Sequence, residues 1–187
     1  MNDDLREAAR QIIFASIDYR IWRIYSEPAD REKYLPVIQK YSSFFSASRW
    51  AHFRATIITL YGLYERRPDS ISLSCLVKDT PDGKLRRELE PMLDQALEIW
   101  PKIAILRNKV AHLCDTDTDA AFRRAELSPN ELERLIELSK ALLNKLSCAH
   151  HCGPFPVNAG DPRIDTNNLL NALLRDPSQQ QTRRQRS

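Results

Sequence analysis

An arginine, an asparagine and a histidine fall within one six-residue stretch, Arg107-Asn108-Lys109-Val110-Ala111-His112. These are the groups a phosphodiester-cleaving site needs. A guanidinium holds a phosphate through paired hydrogen bonds and stabilises charge that develops on it. An imidazole takes or gives a proton near neutral pH. A primary amide can fix the tautomer of that imidazole or touch the phosphate itself. Arg107, Asn108 and His112 are therefore the candidate catalytic residues, with Arg107 and Lys109 as candidate substrate-binding cations.

Spacing limits how they meet. On a helix five residues advance by about 500°, so Arg107 and His112 point about 140° apart and stand about 7.5 Å apart along the axis. Asn108 and His112, four residues apart, share a face. Either Arg107 curls round its helix, or the helix is distorted, or the site draws on a second copy of the chain. A two-fold axis would bring two histidines and two arginines into one cleft, so the spacing favours a homodimer. The bland alternative makes Arg107 a solvated helix residue and His112 a helix-terminal residue on the dipole. With 20 Arg and 4 His in the chain, an Arg followed at the fifth position by His arises by chance about 0.4 times, and asparagine after the arginine lowers that to about 0.02.

The elements that must position these residues read as helices. Leu5, Ala8, Ile12, Ile13, Ile17, Ile21 and Ile24 recur at three- and four-residue steps, predicting a first helix from Asp3 to Tyr25 that ends before Pro28. A second apolar series runs from Leu35 to Tyr64, as one helix or as two pieces broken near Ser42-Ser43 or Ser46-Ser48. His52 within it reads as a packed, hydrogen-bonded residue. Ile71 to Val77 is a loop or a short helix. A third helix runs from Lys84 toward Leu113, with Pro91 read as a new helix start and Pro101 as a kink one turn before the motif. The acidic stretch from Cys114 to Asp119 reads as a solvated loop. Ser128-Pro129-Asn130-Glu131 is a capping box, and Leu132 to Leu146 form the fourth helix behind it.

With only four glycines the chain lacks the punctuation of a sheet-rich fold. The net charge is +3, and residues 153–187 hold five arginines against three aspartates. The rest is nearly neutral, so nucleic-acid contact would have to be local. No secretory signal follows Met1 and the longest apolar stretch is too short for a membrane span, so a cytoplasmic protein without a membrane partner is expected. Cys148, His150, His151 and Cys152 lack the second ligand pair of a structural zinc site, and neither metal nor cofactor is expected. Leu169, Leu170, Leu173 and Leu174 predict a short helix capped by Asp165 or Thr166 that docks in a groove of the bundle or of a partner. Residues 179–187 read as disordered.

The arginine, the polar residue after it and the short gap to histidine on the third helix of a bundle resemble the Arg-x4–6-His motif of the HEPN superfamily. The residues leading into it, Leu97-Glu98-Ile99-Trp100-Pro101-Lys102-Ile103-Ala104-Ile105-Leu106, are similar to the abortive-infection (AbiU-like) branch. The likeness covers roughly residues 1–148. It implies an all-helical bundle, a homodimer with the motif at its interface, and metal-independent RNA cleavage in host-defence or toxin systems. The expectation is thus an all-α protein: an up-down four-helix bundle over residues 1–148, then an extension over 149–187 with one short helix and a basic disordered end. It would act as an endoribonuclease of a phage-defence or toxin–antitoxin system, with RNA as substrate and a cognate antitoxin or defence-complex protein as possible partner. The alternatives are a silent bundle that binds nucleotide, RNA or protein through the same residues, and a purely structural bundle.

Overall fold

The computed structural model describes residues 2–65, 71–112, 118–151, 153–155 and 161–175, of which 88% are helical, with no strand among them. The fold is all-α. Among the described residues eight helices follow in order: α1 (Asn2–Ser26), α2 (Pro28–Lys40), α3 (Ser42–Tyr64), α4 (Leu73–Lys78), α5 (Gly83–His112), α6 (Thr118–Ala125), α7 (Pro129–Ala149) and α8 (Pro162–Arg175). The chain divides into two compact units, Met1–Ser16 with Arg54–Ala159 and Ile17–Phe53 with Gly160–Ser187, so the division falls inside α1 and α3.

In the larger unit α5 carries the central stripe. Leu89, Leu93, Ala96, Ile99, Ile103 and Leu106 are buried at three- and four-residue intervals and pack toward α7. The opposing stripe is Leu132, Leu135, Ile136, Leu142, Leu143 and Leu146. Such spacing puts each set on one face of its helix. α4 packs on both, and α6 on α5. The Tyr64 hydroxyl lies 2.7 Å from Ser139 Oγ, which in turn donates to the Leu135 carbonyl at 2.7 Å, so α3 is pinned to α7 through a buried polar chain. Burial pushes the Tyr64 pKa up and keeps the phenol neutral.

The smaller unit has its own core of Ile24, Tyr25, Tyr34, Val37, Phe45 and Leu170. Leu170 is fully buried there, so α8 docks as expected, against α2. His52 Nδ1 lies 2.7 Å from Asp18 Oδ1, in keeping with its reading as a hydrogen-bonded packing residue.

Several boundaries differ from expectation. Pro28 ends α1 and opens α2 at its first turn, where a missing N–H costs nothing. The next break falls at Tyr41, immediately before Ser42, and so at the first of the two expected places. Pro91 starts no helix, since α5 runs unbroken through both Pro91 and Pro101. Both prolines lie on the exposed side, and the buried leucines on either side of Pro91 hold the helix together across the lost hydrogen bond. Asp82 caps α5 instead, its carboxylate accepting from Lys84 N at 2.8 Å. Residues 114–117 of the acidic stretch lie outside the described residues, but Thr118 and Asp119 already belong to α6, not to a loop. α8 begins at Pro162 and is capped by Asp161, which accepts from Arg163 N at 3.1 Å, not by Asp165 or Thr166. The end expected to be disordered, 179–187, lies outside the described residues.

The capping box of α7 is present in full. Glu131 also meets Lys102 of α5 at 2.7 Å, and Lys102 donates to the Glu126 carbonyl at 2.8 Å. The Lys102 ammonium, and after it the Ser128 N–H, hold the Glu131 carboxyl below the usual range. A carboxyl depressed on folding adds stability that is complete at neutral pH and lost as pH falls through its folded value. Glu131→Gln is expected to cost about 1 kcal/mol at pH 7 in urea unfolding, and the gap to the wild type should close below about pH 4. A gap that persists undiminished at pH 3 would contradict the assignment.

Candidate functional site

The last three turns of α5 carry the candidate motif, and α3 supplies the surface that orients it. Arg107 is half-buried, with its guanidinium carbon 5.0 Å from the centroid of the Tyr61 ring. That distance is within cation–π range. The Tyr61 ring in turn stacks with Trp100 at 5.5 Å between centroids and 20° between planes. Trp100 Nε1 donates to the Tyr61 carbonyl at 3.2 Å, and the Tyr61 hydroxyl donates to Glu65 Oε1 at 3.0 Å. The ring beneath Arg107 is therefore fixed at both its backbone and its hydroxyl end.

Helical spacing explains why Trp100 and Arg107 cooperate. Seven residues come back to the same face within about 20°, so both reach one residue of a neighbouring helix. Between them, Lys102 ties α5 to the start of α7. Arg107 Nη1 donates to Asn108 Oδ1 at 3.2 Å. The amide oxygen of Asn108 thereby serves the guanidinium, and its NH₂ remains the group able to donate to a phosphate oxygen or an imidazole nitrogen. Asn108 is exposed, and so is Ile105 three residues before it on the same stripe. On α3, Ile58 stands exposed three residues before Tyr61.

His112 is the final residue of α5. Its side chain and that of Lys109 lie outside the described residues. The structure thus brings Arg107 and Asn108 together and places the backbone of His112 one turn beyond. Tyr61 and Trp100 were not expected to take part in the site. Tyr61 stood in the apolar series of its helix, while the seven-residue interval from Trp100 to Arg107 was the signal that could have paired them. Residues 148–151 are a helix end: His150 closes α7, His151 adopts a left-handed φ of 56°, and Ser147 Oγ donates to the Gly153 carbonyl. Cys152 lies outside the described residues, and no cluster able to hold a metal occurs among the described ones.

A family model for AbiU2, of the HEPN type, matches residues 3–169. The chain belongs to the AbiU2 family of HEPN proteins. It is an abortive-infection HEPN-type module. The match runs past residue 148 into the first half of α8 and ends at residue 169, one residue before the buried Leu170. No curated protein and no solved structure matches. No helix among the described residues is long and apolar enough to cross a membrane.

A double-mutant cycle reads the orienting contact directly. Tyr61→Leu and Arg107→Ala are expected to be non-additive in urea unfolding, with a coupling of about 0.5–1 kcal/mol. Strict additivity would mean that the ring and the guanidinium do not interact in solution.

Proposed function

We propose that this AbiU2-family chain is a metal-independent endoribonuclease, working as a homodimer in a phage-defence or toxin–antitoxin setting. The supporting observation is the fixed seat of Arg107: a guanidinium held on a braced aromatic ring beside an exposed amide, at the end of the helix that closes with His112. A guanidinium oriented in advance loses little freedom when a phosphate arrives.

In the proposed reaction His112 withdraws the proton of the ribose 2′-hydroxyl as the 2′-oxygen attacks phosphorus. The P–O5′ bond breaks, the 5′-oxygen leaves with a proton from a second imidazole, and a 2′,3′-cyclic phosphate remains. Arg107 neutralises the charge that builds on the non-bridging oxygens, Asn108 steers phosphate or imidazole, and Lys109 binds the flanking backbone. The need for a 2′-hydroxyl selects RNA over DNA. Two proton transfers call for two imidazoles, which a two-fold axis through paired motifs supplies. Exposed Ile58 and Ile105 beside the site are the apolar surface such a partner copy would cover.

The pairing of Arg107 with Tyr61 and Asn108 also favours a second reading, in which the motif holds RNA without cutting it. Incubation with RNA in excess chelator separates the two. The enzyme reading expects cleavage that survives the chelator and falls at least a hundredfold in Arg107→Ala and in His112→Ala. Because the reaction draws an imidazole from each copy, mixing the two variants should restore little activity, since every mixed dimer keeps only one His112. Intact RNA that is still bound, and released by Arg107→Ala, would support the silent module.

A further inference from the structure

The smaller unit contains a cavity of about 280 Å³ between α2 and α3. α2 contributes Arg31, Leu35 and Ile38, at intervals of four and three, and α3 contributes Ser42, Ser46 and Arg49 at the same intervals. Each set is one face of its helix. Phe45 and Tyr25, packed edge to face at 5.5 Å, also line it and are otherwise core residues of this unit.

Two features make this cavity unlike a packing defect. Arg20 and Arg163 both hold the Asp161 carboxylate, at 3.6 and 2.8 Å, and Arg23 holds Glu27. Arg31 and Arg49 hold no carboxylate among the described residues, although both line the cavity. Apolar surface also continues beyond it: Leu35 on its wall is 36% exposed, and Tyr41 and Phe44 at the α2–α3 corner are 37% and 62% exposed. Exposed apolar surface rimmed by unmatched charge marks a protein contact.

We propose that the α2–α3 groove docks an acidic segment of a partner protein. One large apolar side chain of that segment fills the cavity against Leu35, Ile38 and Phe45, and flanking carboxylates meet Arg31 and Arg49 in charge-assisted hydrogen bonds. The charge decides against the chain's own end, since residues 176–187 carry three arginines and one aspartate. The extent of apolar surface decides against a small organic anion, which would fill the cavity and leave Tyr41 and Phe44 in water.

The test is selection of phage-displayed random twelve-residue peptides on the immobilised full chain, followed by binding measurements with the selected peptide. The expected consensus is a leucine or aromatic residue flanked by aspartate or glutamate. Its dissociation constant should rise at least about tenfold in the R31E/R49E variant, with unchanged far-ultraviolet circular dichroism, and fall back when the peptide's acids are replaced by lysines. The proposal is overturned if no peptide is enriched, if the enriched peptides are neutral or basic, or if R31E/R49E binds as tightly as the wild type. The readout is peptide binding, so it stands apart from whether the chain cuts RNA.

Discussion

The candidate site depends on one contact, the guanidinium of Arg107 resting on the ring of Tyr61. A long, flexible cation at a helix surface would otherwise sample many rotamers, and each would have to be abandoned when a phosphate binds. An aromatic face removes that freedom without neutralising the charge, which a carboxylate would do. Trp100 stacks on the same ring and hydrogen-bonds to the backbone of the same residue, so the seat cannot tilt independently of α5. Arginine, tyrosine and tryptophan form one unit spanning two helices, and the asparagine beside them extends its polar edge.

The scaffold gives this arrangement a fixed base. α5 is the longest helix among the described residues, and it remains continuous through two prolines because its buried stripe packs along α7 and α4. Lys102 adds a polar tie at the point where Pro101 removes a backbone donor, reaching both the capping glutamate of α7 and the Glu126 carbonyl. The interval from Trp100 to Arg107 is thereby held on one side by α3 and on the other by the start of α7. The smaller unit has its own aromatic core and its own cavity, which Arg31 and Arg49 line and where we propose that a partner segment docks.

Much of this was legible in the residues alone. Apolar periodicity gave the all-helical class, the first and fourth helices to within a few residues, and the burial of α8. The Ser128-Pro129-Asn130-Glu131 cap was readable because its chemistry is local. Where the structure departs from that reading at a proline, distant packing outweighs local preference. Pro91 reads as a helix start until Leu89 and Leu93 are seen buried on either side of it. α6 opens inside the acidic stretch that reads as a loop, and among its described side chains Phe122 and Ala125 are buried. Within the site the motif was visible as a string, whereas its aromatic seat was not, because Tyr61 and Arg107 lie far apart in the chain and only folding makes them neighbours. The AbiU2 family model matches residues 3–169, a span that includes both the motif and the Trp-Pro stretch before it.

The proposal pairs Arg107 with His112 on a sugar-phosphate linkage in which the sugar itself provides the nucleophile. The most direct test uses an RNA that the protein cuts at one defined linkage, compared with the same strand carrying a single 2′-deoxy sugar immediately 5′ of that linkage. The account predicts that the all-ribose strand yields a 2′,3′-cyclic phosphate end and that the substituted linkage stays intact. Cleavage of the 2′-deoxy linkage at a comparable rate would contradict it.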